Sequence, residues 1–231
     1  MIKGIKDFSK NGKNSSVYSA PFDEVISKAV RDLDRAVSLE YNSLIRRLAG
    51  KESSVSQNGN YTAECWIYDP QTGIYLSKWP LIRAYPEQAT QDHREGKEFY
   101  ISEQQIKRAT SKIYARQVED KRVILIPSDY LQECEVTSFS FGKQAKETGK
   151  FLLNDCGIEA IPIFTVDPNH LPIGSGEKDE VNRGKPFARQ NWFYGLGNNG
   201  RFALGGNDRC LHYGNAVRTI PKSDEEFYES T

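Results

Sequence analysis

No segment of this sequence approaches the ~18 consecutive apolar residues of a membrane-spanning helix. The opening residues, MIKGIKDFSKNGKNSS, lack an apolar core and do not read as a signal peptide. Cysteines stand at 65, 134, 156 and 210, with no CxxC pair for metal or redox chemistry. An extracellular disulfide framework would be denser, so reduced and mostly buried thiols are expected. Charge of one sign is also missing: 31 basic residues balance 31 acidic ones. Net zero charge gives no electrostatic case for a nucleic-acid or membrane partner, and it favours association over repulsion. Asn14-Ser15-Ser16 and Asn60-Tyr61-Thr62 match the glycosylation pattern, which is idle without a secretion signal. These absences together point to the cytoplasm, that of an infected host included.

Aromatic residues, by contrast, are plentiful: 12 Tyr, 11 Phe and 3 Trp, more than a disordered chain carries. A chain of 231 residues can hold one large domain or two small ones without staples. Over 21–49 the apolar residues Phe22, Ile26, Ala29, Leu33, Val37, Tyr41, Leu44 and Leu48 recur at steps of three and four. That stripe predicts one long amphipathic helix, opened by Pro21 and stopped by Gly50. Residues 61–68 and 74–79 flank Asp69-Pro70-Gln71-Thr72-Gly73 as a β-hairpin. Stretches 51–60 and 85–97 read as polar loops. Ser102 and Gln105 form a capping box that opens a helix. VILI at 123–126 reads as a strand, CEVTSFSF at 134–141 as an alternating strand, 143–155 as a helix weakened by Gly149, and IPIFTV at 161–166 as a strand. Residues 167–190 read as a long loop of the length that is often functional. The fold class expected is α+β: the long N-terminal helix packed on a mainly antiparallel sheet, with a β-rich C-terminal segment. A boundary near residue 170 would separate a core, 1–170, from a C-terminal subdomain, 171–231, unless the two form one continuous domain.

The C-terminal stretch contains Gly195-x-Gly197-x-x-Gly200, the spacing of a dinucleotide fingerprint. That fingerprint needs a helix behind it to face the phosphates, and Gly205-Gly206 forbids one. Asn198-Asn199-Gly200 reads instead as a hairpin turn. Asp208, Cys210 and His212 would share one face of a strand. As metal ligands they are splayed by about 7 Å per two residues, so they are weak candidates. Asp69, Glu95 and Lys97 have the residue types of a metal-dependent nuclease, in which carboxylates hold the metal and the lysine offsets charge. Asp in a hairpin turn also has a backbone reason to be there.

The pattern WFYGLGNNGRFALGG…YGNAVRTIP resembles the end of C-type-lectin-like and sulfatase-activating-enzyme-like domains, which finish in Gly- and Asn-rich strands and a "VR" motif. The Arg-Gly-Gly-Ser-Trp core of that family is absent, and no activity follows from the resemblance. The function expected is that of a non-enzymatic structural or interaction subunit of a larger assembly, such as a phage or virus particle. It would need no cofactor and would bind proteins or its own copies. Its binding face would comprise Trp192, Phe193, Tyr194, Arg201, Arg209 and Tyr213. The alternative is a nuclease or other hydrolase using Asp69, Glu95 and Lys97.

Overall fold

A computed structural model of the chain describes residues 4–10, 13–31, 34–166, 184–197, 202–206, 211–214 and 216–221. The chain opens with a hairpin of β1 (Ile5–Lys10) and β2 (Lys13–Ser19), then α1 (Phe22–Arg31), β3 (Asp34–Ala36) and α2 (Leu39–Ala49). A short α3 (Ser54–Gln57) leads into the hairpin of β4 (Asn60–Asp69) and β5 (Gly73–Ser77). Then follow α4 (Leu81–Ala84), α5 (Pro86–Arg94), β6 (Phe99–Tyr100), α6 (Glu103–Ala109), β7 (Ala115–Val118) and β8 (Val123–Pro127). The last part holds α7 (Glu135–Phe141), α8 (Ala145–Lys150), β9 (Ala160–Phe164), β10 (Phe187–Phe193), β11 (Leu204–Gly205) and β12 (Ala216–Pro221).

The strands form one sheet in the order β1-β2-β12-β4-β10-β11-β9-β8. Pairing is antiparallel except where β11 meets β9 and where β12 meets β4. Strand β4 is its centre. One edge of β4 is covered by β10, from Phe187 opposite Tyr68 to Phe193 opposite Asn60. The other edge is shared, with β12 at Tyr61 and β5 from Cys65 to Asp69. A strand paired on both edges and covered on both faces reads as nearly continuous burial, and β4 is buried at all but one position. Successive side chains face opposite ways. Cys65 and Ile67 join Phe22, Val25, Leu81, Ile82 and Ala89 on one side. Trp66 and Tyr68 join Leu39, Val136, Phe141 and Leu152 on the other. Strands β10 and β12, from the last quarter of the chain, thus sit among strands of the first third.

The expected helix over 21–49 is not one helix. Residues 34–36 leave the helical path to pair with β12, Ala36 opposite Thr219 and Asp34 opposite Pro221. The chain restarts at Ser38, whose side chain accepts the Tyr41 backbone N–H as the cap of α2. Leu33 lies outside the described residues. Further expectations are corrected: α3 lies inside the expected 51–60 loop, and residues 187–190 of the expected long loop belong to β10. Residues 86–94 are helical rather than loop, with Pro86 in the first turn, where its missing N–H costs nothing. Residues 135–141 are helical rather than strand: Ser140 Oγ donates to Val136 O and Thr137 Oγ to Leu131 O, so hydroxyls can sit on the buried helical face beside Val136 and Phe141. The hairpin, the Ser102–Gln105 capping box and the strands at 123–127 and 160–164 match their sequence signals.

Candidate recognition face at the end of strand β10

Strand β10 carries the first part of the aromatic segment. A bulge at Asn191 breaks its register with β4, and Asn191 takes the Trp66 indole N–H (2.8 Å) while donating to Thr62 Oγ (2.9 Å). Beyond the bulge Trp192 and Tyr194 stand on one side of the chain, edge to face at 6.4 Å. Trp192 rests edge-on against Tyr61 at 4.8 Å, and Gly59 leaves the room its indole needs. Tyr194 rests edge-on against Phe164 at 5.8 Å. Both are half-buried.

What fixes the backbone under these rings is Arg46, on the inner side of α2 and fully buried. Its guanidinium donates to Tyr194 O (2.6 Å), Phe193 O (3.1 Å), Asn58 O (3.1 Å) and Asn60 Oδ1 (3.3 Å). It also lies over the Phe193 ring at 3.9 Å. The planar fork of arginine suits several carbonyls converging on one point. Asn60 Oδ1 also accepts from Arg218 Nη1 at 2.8 Å, and Arg218 pairs with Asp7 at 2.9 Å. Burial holds the Arg46 guanidinium well below its ordinary pKa, and neighbouring Arg218 lowers it further. Burial lowers Arg218 too, with Asp7 opposing.

The turn after β10 lies against α3. Leu196 N donates to Ser56 O and Gly197 N to Gln57 O. A side chain at Gly195 would run into the Gln57 carbonyl and the Asn58 backbone. Close approach of two backbones therefore explains the first glycine of the GxGxxG spacing. Beside Leu196 opens a shallow cavity of about 400 Å³, reached by Gln57, Ile158 and Lys51.

The other sequence candidates fall as follows. Phe193 is fully buried against Phe141, Phe202 and Arg46, so it supports the face from below and is not part of it. Tyr213 is 60% exposed and lies against His212, ring centres 4.1 Å apart, in a turn and not on a strand. Arg201, Asp208, Arg209, Cys210 and the turn 198–200 lie outside the described residues, as does 167–183 of the long loop. Asp69 turns both carboxylate oxygens onto its own hairpin, accepting from Gln71 N (3.0 Å) and Thr72 Oγ (2.5 Å). Glu95 and Lys97 pair with each other on the surface after α5. Among the described residues no cluster of three His, Cys, Asp or Glu could hold a metal. No described helix is long and apolar enough to cross a membrane. Cys65, Cys134 and Cys156 are free thiols, and burial pushes Cys65 up to about 12, which leaves it inert.

No protein-family model matches the chain, and no curated protein matches it. A solved structure is similar over 92% of this chain and 99% of its own, at 16% identity and a TM-score of 0.52. It is described as "Accommodation of massive sequence variation in Nanoarchaeota by the C-type lectin fold". The likeness shows the C-type lectin fold. It agrees with the resemblance carried by residues 191–221. Arg46, Asn58 and Gln57, which hold the face, carry no local sequence signal of that role.

Proposed function

We propose that the chain is a non-enzymatic recognition module that binds a protein surface through Trp192, Tyr194 and Leu196, with Tyr213, Arg201 and Arg209 extending the contact. The observation that carries this reading is the partly buried Trp192–Tyr194 pair on a strand end whose backbone Arg46 pins. Rigid aromatics with part of the ring in solvent are the anchors that dominate protein interfaces. The description of the solved neighbour supports it: there the C-type lectin fold accommodates massive sequence variation, a property that suits a display surface. The partner we infer is another protein or a second copy within a larger assembly, a phage or virus particle being one such assembly. Hydrolysis by Asp69, Glu95 and Lys97 is disfavoured, because Asp69 is committed to its turn.

A photo-crosslinking residue at Leu196, compared with one at exposed Ile113, tests this reading. The expected result is a discrete adduct from position 196 alone, identified by mass, with the purified partner bound at least tenfold more weakly by Trp192→Ala. Equal labelling from both positions, together with a monomer by sedimentation, would overturn it.

A further inference from the structure

A second concavity lies away from the aromatic face, where α2, the middle of β4, α4 and the 142–144 turn meet. It holds about 520 Å³, within the range of small-molecule sites. One wall is apolar, from Leu44 and Ala63 with the Tyr41 ring. The remainder is polar, with Ser38 and Gln144 among five charged residues, and the charges do not cancel. Lys78, Arg83 and Lys143 face Glu40 and Glu64, which leaves one positive charge in excess.

Both carboxylates are already satisfied by backbone. Glu64, buried at 1% exposure, takes the Leu39 N–H on both oxygens at 3.0 and 3.1 Å, where it serves the N-terminus of α2. Glu40 takes the Lys143 N–H at 2.9 Å and lies against Gly142, whose φ of 50° and missing side chain make the room. Lys78 and Arg83 both act on the Glu64 carboxylate through space, but neither is hydrogen-bonded to it. Arg83 donates from Nε to Ala63 O at 3.0 Å, and its two terminal nitrogens make no hydrogen bond to a described residue. The Lys78 ammonium lies over the Phe139 ring at 4.6 Å and makes no hydrogen bond to one either. Neutralising Glu64 would take one cation; the fold supplies two.

We propose that this cleft binds a small organic monoanion, a carboxylate on an apolar body, with Arg83 and Lys78 holding the carboxylate and Leu44 and Ala63 covering the body. A guanidinium fork with both ends open is the donor set that matches a carboxylate in two-point geometry. One excess charge matches a monoanion. A phosphate dianion would reverse the local balance against two fixed carboxylates.

Calorimetric titration of the full chain with 2-naphthoate, and with neutral 2-naphthamide as the uncharged analogue, tests the proposal. The expected result is naphthoate binding at least tenfold tighter than naphthamide. Arg83→Gln and Lys78→Met each weaken naphthoate by roughly tenfold or more and leave naphthamide unchanged. Leu44→Trp fills the cleft and removes both, while Ile113→Ser on the exposed surface changes neither. Circular dichroism melting confirms that each variant is folded; if Arg83→Gln is not, Lys78→Met and Leu44→Trp carry the test. Absence of naphthoate binding at millimolar concentration, or binding unaffected by Lys78→Met and Leu44→Trp, overturns the proposal.

Discussion

Replacing Arg46 by Met removes the clamp under the recognition face while keeping an apolar side chain of similar reach. Three backbone carbonyls, Asn58 O, Phe193 O and Tyr194 O, lose their guanidinium donors; Asn60 Oδ1 retains Arg218 and Asn42. A buried acceptor left without its donor costs about 1–3 kcal/mol, so three cost roughly 3–9 kcal/mol. Against this stands a gain. A buried guanidinium pays for desolvation, and Arg218 repels it, as its lowered pKa records. Removing the charge returns part of that penalty. The net expected loss is about 3–5 kcal/mol, a large share of the roughly 5–15 kcal/mol that holds a domain folded. Urea unfolding followed by circular dichroism reads it directly. At a slope of roughly 2–3 kcal/mol per molar, the midpoint falls by about 1–2 M. Arg46→Lys is the companion variant. It keeps the charge but replaces a planar fork with one ammonium, which cannot serve carbonyls on two separate segments, so it lies between wild type and Met. A loss below about 1 kcal/mol for Arg46→Met would mean that the carbonyls find other donors and that the clamp does not set the face.

Three further outcomes follow from the same contacts. Gly195→Ala drives a methyl into the Gln57 carbonyl and costs about 1–3 kcal/mol in the same urea assay; an unchanged midpoint would show that the 194–197 turn can lift off α3. Arg189→Met removes the guanidinium bonded to the buried Glu98 carboxylate at 3.0 Å from Nε and costs about 3–5 kcal/mol, whereas the double change with Glu98→Gln recovers part of the loss. Burial raises the Glu64 carboxyl above its ordinary pKa, so the folded chain takes up this proton before the unfolded chain does. The stabilisation from that proton is complete below the unfolded value near ~4.3 and is lost as pH rises through the raised one. The stability of wild type relative to Glu64→Gln therefore grows between pH 7 and pH 4, read by paired urea titrations, and a constant difference would refute the assignment.

Local signals in the sequence carried the local structure. The β4–β5 hairpin, the Ser102–Gln105 capping box and the strands at 123–127 and 160–164 are each specified by a few neighbouring residues. The 21–49 stripe failed because periodicity cannot register a partner that arrives late in the chain. Residues 34–36 are drawn into the sheet by β12, whose paired residues lie more than 180 positions away. The 134–141 alternation failed for another reason: over seven residues, hydroxyls that bond backward to backbone are indistinguishable from the polar face of a strand. Arg46 was invisible for a third. It sits in a charged stretch of α2 and reads as a solvated position, while its acceptors lie 12 to 148 residues away. The aromatic residues 192–194 stand out in the sequence as a cluster in a Gly- and Asn-rich segment, which does not say which of them is buried. That Phe193 between them faces inward is a consequence of strand alternation.

The way β10 is anchored bears on what the face can tolerate. Arg46 holds Phe193 and Tyr194 by their carbonyl oxygens, and α3 holds Leu196 and Gly197 by their amides. Backbone anchors do not depend on the side chain above them. The residue at 194 can therefore change its chemistry without releasing the strand, provided that what lies beneath stays intact. Substituting Tyr194 by Ser, Lys or Val forfeits an edge contact with Phe164 and one with Trp192. Each such contact is worth about 0.5–1.5 kcal/mol beyond area burial. All three variants should lose about 1–3 kcal/mol from these two contacts in urea unfolding, at or below the low end of the Arg46→Met loss, while partner binding changes from one to the next. If Tyr194→Ser unfolds the chain as readily as Arg46→Met does, the aromatic ring belongs to the frame. Recognition would then have to reside elsewhere on the surface.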